Sequence, residues 1–158
     1  MAAVYTIGHS RHPWDKFLAL LQRHGIERVV DARSRPFSRF SPQFNRERMR
    51  AALSAAGIEY EWRGAALGGR PDDPRFLTPD GALDRDALWG WDALQSDLDA
   101  IASRADDRRQ VLLCAEEDPM SCHRRALLTP PLMKRGLEVL HIRGDGRIEP
   151  ERELAPFL

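Results

Sequence analysis

The chain lacks three features that would decide its class at once: long apolar runs, a full set of cysteines and an excess of one charge. No apolar run approaches the roughly 20 residues of a membrane span, so we expect no membrane partner. No basic stretch followed by an apolar segment opens the sequence, which argues against a secretory signal and predicts a cytoplasmic protein. Two cysteines cannot build a disulfide scaffold, and in that compartment we expect them to be reduced.

The net charge is zero, but only because a basic segment and an acidic segment cancel each other. Lys+Arg and Asp+Glu both total 24, so no global field favours nucleic acid or a membrane surface. Residues 28–50 nevertheless hold seven arginines against Asp31 and Glu47. Residues 72–107 hold ten aspartates against three arginines. A basic segment and an acidic segment therefore lie in different parts of the chain.

What is present is enough apolar sequence for one domain, 1–158. Short strand-like runs are centred on residues 4–7, 26–31, 58–62, 111–114 and 137–142. Helical periodicity separates them at 14–24, 46–56, 88–105 and from Ser121, which we predict as an N-cap. This alternation predicts an α/β fold, a single three-layer domain with a mostly parallel sheet and helices on both faces. Residues 64–84 are predicted to be a long functional or lid-like loop rather than a domain boundary.

Residues able to do chemistry follow three of the predicted strands. His9 and Ser10 follow the first strand, and Asp31, Arg33 and Arg35 end or follow the second. Cys114 and Glu116 follow the strand at 111–113, and Cys122, His123 and Arg124 come a short loop later. Open parallel sheets bind ligands at the carboxyl ends of their strands. We therefore expect one cleft, with His9, Asp31, Cys114 and His123 within about 12 Å of one another.

Each of these residues also has an ordinary structural interpretation. His9 can be satisfied by backbone groups, Asp31 can cap a turn, and Cys114 can be a small core residue. Arg33, Arg35 and Arg39 can form a solvated face; alternatively, Arg33 and Arg35 face the cleft and are held by Asp31, Glu116 or an anion. Cys122 and Arg124 favour an anion or thiolate more strongly, because a helix N-terminus is predicted there.

Familiar cysteine and glycine motifs do not fit. A phosphatase-type loop requires an arginine six residues after its cysteine, where this chain has Met120 or Leu128. The Gly68-Gly69 pair matches neither a P-loop nor a dinucleotide fingerprint. Zinc held by Cys114, Cys122, His123 and His9 is an alternative. We expect free thiols, no metal and no cofactor, with Cys122 the more reactive thiol.

The motifs together closely resemble the domain of unknown function 488 family of bacteria and archaea. They are Thr6–Ser10, Val30–Pro36 with Ser38 and Phe44-Asn45, Leu67–Arg70, Cys114–Glu116 and Cys122–Arg124, within about residues 4–148. The resemblance implies a compact α/β fold and a site at the matching positions, which include Gly68 and Gly69. The helix after Arg124 departs from the family pattern, because Pro130 and Pro131 are expected to shorten or kink it.

Two functions remain open. The first is an enzyme of hydrolase or transferase type acting on a phosphorylated or anionic, nucleotide-like small molecule. Ser10, Arg33, Arg35, Gly68, Gly69 and Arg124 would bind that substrate, and His9, Asp31, Cys114, Glu116, Cys122 and His123 would act in catalysis. The alternative is a nucleic-acid-binding module that uses residues 28–50, with Phe37, Phe40 and Phe44 stacking on bases.

Overall fold

The computed structural model of the chain describes residues 2–70, 73–122 and 124–154. Within these ranges the sheet has six strands: β1 (Ala3–Gly8), β2 (Arg28–Asp31), β3 (Glu59–Trp62), β4 (Gln110–Cys114), β5 (Glu138–Ile142) and β6 (Ile148–Pro150). Their order is β3-β2-β4-β1-β5-β6, parallel from β3 to β5 and antiparallel at β6. The predicted α/β class with a mostly parallel sheet is confirmed, and β6 was not predicted.

The helices of the described chain cover both faces of the sheet. They are α1 (Trp14–Arg23), α2 (Arg46–Ala55), α3 (Gly64–Leu67), α4 (Arg85–Trp89), α5 (Asp92–Ser103) and α6 (Thr129–Lys134). Neighbouring residues of a strand point to opposite faces. Val29 and Val111 accordingly pack under α1 and α2, while Val30 and Leu112 pack under α3, α4, α5 and α6. Two apolar cores result, one on each face.

The predicted helix over 88–105 is two helices. α4 ends at Trp89 and α5 begins at Asp92, with Gly90 and Trp91 between them. Trp91 does not continue a helical stripe, because its ring packs on Phe76 with ring centroids 4.9 Å apart. The contact turns the chain between the two helices.

The segment predicted to be a long functional or lid-like loop is anchored to the core. It contains α3 and a 3-10 turn at Pro74–Phe76, and Phe76 is buried. At its far end Asp84 caps α4 by accepting a hydrogen bond from the backbone of Ala87. Pro71 and Asp72 lie outside the described residues.

The segment after β4 also differs from the expectation. Ser121 is not an N-cap; it ends a 3-10 turn, Pro119–Ser121, that is capped by Asp118. A π-helix, Arg124–Leu128, precedes α6, which confirms the predicted interruption. Pro130 and Pro131 have no N–H for the carbonyls of Ala126 and Leu127. The Leu127 carbonyl accepts a hydrogen bond from the Trp89 indole at 2.8 Å instead.

Among the described residues, none of the helices is both long enough and apolar enough to span a membrane.

Candidate functional site

A cleft of about 260 Å³ opens at the carboxyl ends of β1, β2 and β4. The residues that line it are His9, Arg33, Ser34, Arg35, Phe37, Ser38, Arg70, Cys114, Ala115 and Glu116. Three guanidinium groups face one carboxylate, so the cleft is positively charged. Depressions of about 410–460 Å³ lie elsewhere on the surface, but none of the residues that line these three is a cysteine or a histidine. The cleft is therefore the strongest candidate site in the described chain.

A close backbone crossing fixes one wall of the cleft. The backbone N–H of His9 donates to the Cys114 carbonyl at 3.0 Å, and that of Ser10 donates to the Ala115 carbonyl at 2.8 Å. A Cβ atom on Gly8 would lie 1.6 Å from the Glu116 carbonyl oxygen. Only glycine permits this approach, which holds His9 beside Cys114 and Glu116.

His9 is a mostly buried, neutral imidazole with one ring nitrogen, Nε2, that can accept a proton. Its ring stacks on Phe44 with centroids 4.5 Å apart, and its Nδ1 lies 2.7 Å from the Ser10 carbonyl oxygen. Because a carbonyl can only accept, Nδ1 carries the proton and Nε2 keeps its lone pair. Burial is the main cause that lowers the pKa of His9 to about 4. The imidazole is thus uncharged at neutral pH and able to accept a proton at Nε2.

Ser10 has a left-handed backbone, with φ of 49°. This conformation is unusual for a residue other than glycine and is often found at functional sites. Ser10 is not among the residues lining the cleft. Its carbonyl orients the His9 ring, so it contributes through positioning.

Asp31 is completely buried and holds Arg33 in place. Its carboxylate accepts from the Arg33 backbone at 3.0 Å and from Nε and Nη2 of that side chain at 2.9 and 2.8 Å. The Tyr60 hydroxyl adds a fourth hydrogen bond. Burial and the neighbouring Asp31 charge raise the pKa of Tyr60, which keeps the hydroxyl protonated as a donor. Asp31 thus aims a guanidinium at the cleft and has no free oxygen of its own.

The loop over residues 34–41 carries the outer side of the cleft. Asn45 accepts from the Ser38 backbone at 2.7 Å, and the Ser38 hydroxyl accepts from the backbones of Phe40 and Ser41. Arg35 is exposed at the cleft, whereas Arg33 is buried. The prediction that both would face the cleft agrees with the lining residues, and Asp31 holds only Arg33.

A second close crossing brings Arg70 to the cleft. A Cβ atom on Gly64 would lie 1.7 Å from the Arg33 carbonyl oxygen, and one on Gly68 would lie 2.6 Å from the Ser34 side chain. The Trp62 indole donates to the same Arg33 carbonyl at 2.8 Å. Gly68 therefore packs against the loop, and Gly69 turns the chain with φ of 68°. Neither glycine lines the cleft; the residue that follows them does.

The two cysteines are bonded to each other, which corrects the expectation of free thiols. Cys114 ends β4, and the 3-10 turn at Pro119–Ser121 brings Cys122 back to it, so that both sulfurs form a buried disulfide. The expectation rested on the predicted compartment, whereas the pairing follows from this fold-back. A comparison of two thiol reactivities does not apply to the bonded form. Oε2 of Glu116 lies 3.1 Å from the Cys114 sulfur.

Arg124 does not reach the cleft. Its side chain is 1% exposed, and Nη2 donates to the Glu117 carbonyl at 3.0 Å. Nε and Nη1 have no hydrogen-bond partner within residues 2–70, 73–122 and 124–154. Burial lowers the pKa of this guanidinium to about 10. His123 lies outside the described residues, so the predicted cluster is described for His9, Asp31 and Cys114, which all lie at one sheet edge.

Two contributors were not assigned a role from the sequence. Arg70 stands in the Leu67–Arg70 motif, but only its place after Gly69 hinted at binding. Tyr60 belongs to an alternating strand, and its contact with Asp31 depends on β3 pairing with β2. The contact between Tyr60 and Asp31 could not be predicted because the sequence does not show the strand order.

Fold and cleft define an α/β protein with an arginine-lined pocket at the carboxyl edge of its sheet. A family model described as "Domain of unknown function DUF488" matches residues 13–129, which is more than half of the chain. The chain belongs to this family. The match includes the Asp31–Arg35, Gly68–Arg70 and Cys114–Arg124 motifs, and His9 precedes it. No curated protein and no solved structure matches the chain.

Proposed function

We propose that the protein is an enzyme of hydrolase or transferase type that acts on a small phosphorylated or otherwise anionic molecule. The observation that carries this proposal is the convergence of Arg33, Arg35 and Arg70 on a cleft that also holds the neutral His9 imidazole. Guanidinium groups bind phosphate and carboxylate oxygens through paired, charge-assisted hydrogen bonds. A cleft of about 260 Å³ suits a ligand of nucleotide fragment size or smaller.

The role of each residue in the cleft follows from the hydrogen-bonding or proton-transfer capacity that its other contacts leave unused. Arg33 is preoriented by Asp31, so it binds an anion without losing much side-chain entropy. Arg35 and Arg70 close around the ligand from the loop side. His9 accepts or returns a proton at Nε2, and the exposed Glu116 carboxylate is the second group able to move one.

Ligand titration of the oxidised chain tests this proposal. Inorganic phosphate, pyrophosphate and adenosine 5′-monophosphate are titrated by calorimetry against the chain and against the variant Arg35→Ala/Arg70→Ala. A hydrogen bond to a charged group contributes about 1.5–3 kcal/mol, so each truncation lowers affinity about tenfold or more. Arg48→Ala, an exposed arginine of α2 outside the cleft, is the matched control. Absence of binding by all three ligands, or equal losses in both variants, would overturn the proposal.

Nucleic-acid binding remains the second candidate because two large aromatic side chains are exposed beside the cleft. Phe37 is 72% exposed and Phe40 74% exposed, and the Arg39 guanidinium lies 5.5 Å from the Phe40 ring centroid. The basic segment itself is partly neutralised, since Arg28, Arg33 and Arg50 each pair with a carboxylate. Phe44, which was considered for stacking, is buried in the core.

Salt dependence separates the two functions. Single-stranded oligonucleotides bound through several phosphates lose affinity steeply with salt, with a log–log slope of about −0.7 per phosphate contact. Fluorescence anisotropy with Phe37→Ala/Phe40→Ala measures the stacking contribution. Steep salt dependence in the native chain, together with a loss of affinity in this variant, favours the nucleic-acid module over the small-molecule enzyme.

A further inference from the structure

Three atoms with affinity for metals lie together in one wall of the cleft. The sulfurs of Cys114 and Cys122 and a carboxylate oxygen of Glu116 all lie within 4.8 Å of one another. Tetrahedral zinc with bonds near 2.3 Å to sulfur and 2.0–2.2 Å to oxygen places its ligand atoms roughly 3.6–3.8 Å apart. The cluster therefore needs only small side-chain movements to surround one ion.

We propose that, once the disulfide is reduced, Cys114, Cys122 and Glu116 form a three-ligand site for a zinc-class divalent cation, with the fourth position facing the cleft. A thiol or phosphine reductant supplies two electrons, and two protons complete the conversion of the disulfide into two thiols. The incoming cation then displaces both thiol protons and is bound by two thiolates and one carboxylate. Three protein ligands and an open fourth position are typical of catalytic rather than structural zinc.

The backbone around the cluster is held independently of the disulfide. The crossing at Gly8 fixes Cys114 and Glu116. Beyond them, the Glu117 carboxylate accepts from Arg143 and from the Gly144 backbone. The Cα atoms of the two cysteines are 7.6 Å apart, and the backbone N–H of Cys122 donates to the Pro119 carbonyl at 3.3 Å within the 3-10 turn. We therefore expect both cysteines to stay in place when the disulfide is reduced.

The surroundings also suit a negatively charged metal centre. Two thiolates, one carboxylate and a divalent cation leave a net charge of −1. The Arg124 guanidinium is buried and interacts electrostatically with Glu116. The backbone N–H of Arg124 lies 3.4 Å from the Cys122 sulfur, where it donates a weak hydrogen bond. Such outer contacts orient metal ligands and adjust their basicity.

Metal titration of the reduced chain tests the site without any assay of activity. The protein is reduced, separated from reductant under anaerobic conditions and titrated with Co²⁺ and then Zn²⁺. We expect one Co²⁺ per chain, a thiolate-to-cobalt charge-transfer band in the near ultraviolet, and loss of that band when Zn²⁺ replaces Co²⁺. The oxidised chain should bind neither ion at this site.

Variants distinguish the three-ligand site from casual binding to thiols. Cys122→Ser should abolish the charge-transfer band or weaken Zn²⁺ affinity at least a hundredfold. Glu116→Gln alters only an exposed side chain, so it should fold, and it should weaken Zn²⁺ affinity about tenfold or more. Glu47→Gln, another exposed carboxylate, is the matched control and should bind Zn²⁺ normally.

Several results would overturn the proposal: no metal uptake by the reduced chain, unchanged affinity in Glu116→Gln, or a disulfide that resists reduction in the folded protein. The site does not rest on the proposed activity. Anion binding is measured on the oxidised chain through Arg35 and Arg70, and metal binding on the reduced chain through Cys122 and Glu116. Failure of one is therefore distinguishable from failure of the other.

Discussion

Two regions of the molecule gather histidine, carboxylate and arginine, yet they differ in what they leave free. One is the cleft; the other, here called the β5 cluster, consists of Thr6, Arg125, His141 and Glu151. In the β5 cluster Arg125 donates to Glu151 at 2.8–3.0 Å, and His141 lies between Glu151 at 2.9 Å and Thr6 at 2.6 Å. All four side chains are buried.

The difference shows that residue type alone does not define a site. The β5 cluster has a hydroxyl, an imidazole and a carboxylate in a row, the arrangement that activates nucleophiles in hydrolases. No side chain in it reaches solvent, and its contacts satisfy one another. The cleft leaves the Nε2 of His9, Arg35 and the Glu116 carboxylate available to a ligand. Access and unused hydrogen-bonding capacity separate a candidate site from a structural network.

The largest effect is expected in the β5 cluster. Glu151→Ala removes the carboxylate shared by Arg125 and His141, and breaking a buried ion pair costs about 3–5 kcal/mol. Urea denaturation measures the loss, and anion titration should show no change in the cleft. Glu153→Ala, an exposed residue of the same 3-10 turn, should alter stability by about 0.5 kcal/mol or less. Similar losses in both variants would contradict the structural role of the cluster.

The next largest effect is a pH dependence of stability that arises from His9 in the cleft. The folded pKa of His9 is about 4, below the usual 6.5, so the unfolded chain takes up the proton first as the pH falls. Stability is therefore complete above about pH 6.5 and is lost between pH 6.5 and 4, by up to roughly 3 kcal/mol.

The measurement compares unfolding free energies of the native chain and His9→Asn across that pH range. His141, whose pKa is also lowered by burial, contributes equally to both proteins, so the difference isolates His9. The variant should show the flatter curve. Parallel curves would contradict the lowering of the His9 pKa by folding.

A smaller loss is expected from Gly8→Ala, which tests the crossing that builds the cleft wall. The added methyl group meets the Glu116 carbonyl and must displace the segment after β4. Overpacking of this kind costs about 1–3 kcal/mol, and affinity for anions should fall with it. Gly90→Ala is the control, because the nearest atom to its added Cβ lies at 3.6 Å and its φ is −81°. Retained stability and binding in Gly8→Ala would contradict the crossing.

The smallest effect concerns the support of Arg33. Tyr60→Phe removes one of four hydrogen bonds to Asp31, and a hydrogen bond to a charged group contributes about 1.5–3 kcal/mol. Arg33 still donates to both carboxylate oxygens of Asp31 in this variant. We therefore expect the free energy of unfolding, measured by thermal denaturation, to fall by about 1–2 kcal/mol, with little change in anion affinity. Tyr5→Phe, on β1, provides a matched hydroxyl deletion. A collapse of anion binding in Tyr60→Phe would show that Tyr60 itself contacts the ligand.

Much of the fold could be predicted from hydrophobic periodicity. The features that could not be predicted depend on how separate elements pair and pack. The alternation of short apolar runs with helical stripes predicted the α/β class because both periods are local. Strand order is not local, and Ile148–Pro150 is so short that it becomes a strand only by pairing with β5 across a turn. The break at Gly90-Trp91 goes with the packing of Trp91 on Phe76, a contact that helical periodicity does not show.

The candidate site was predictable to the extent that it obeys a topological rule. His9, Arg33, Arg35, Cys114 and Glu116 were expected at the carboxyl edge, and all five line the cleft. Their individual states were not predictable. Whether Asp31 is free or engaged depends on side-chain geometry, and the disulfide depends on how residues 115–121 fold back.

The position of β4 in the sheet also bears on how the chain acquires its structure. β4 lies between β1 and β2, although both precede it by some eighty to a hundred residues in the chain. On a ribosome, β2 can pair with β3 once residues 59–62 emerge, but β1 has no sheet partner until residues 110–114 emerge. Contacts this far apart in sequence slow folding and leave apolar strand edges exposed meanwhile. The strand that joins β1 to β2 is also the one that places Cys114 in the cleft, so the two parts of the sheet and the candidate site come together in the same step.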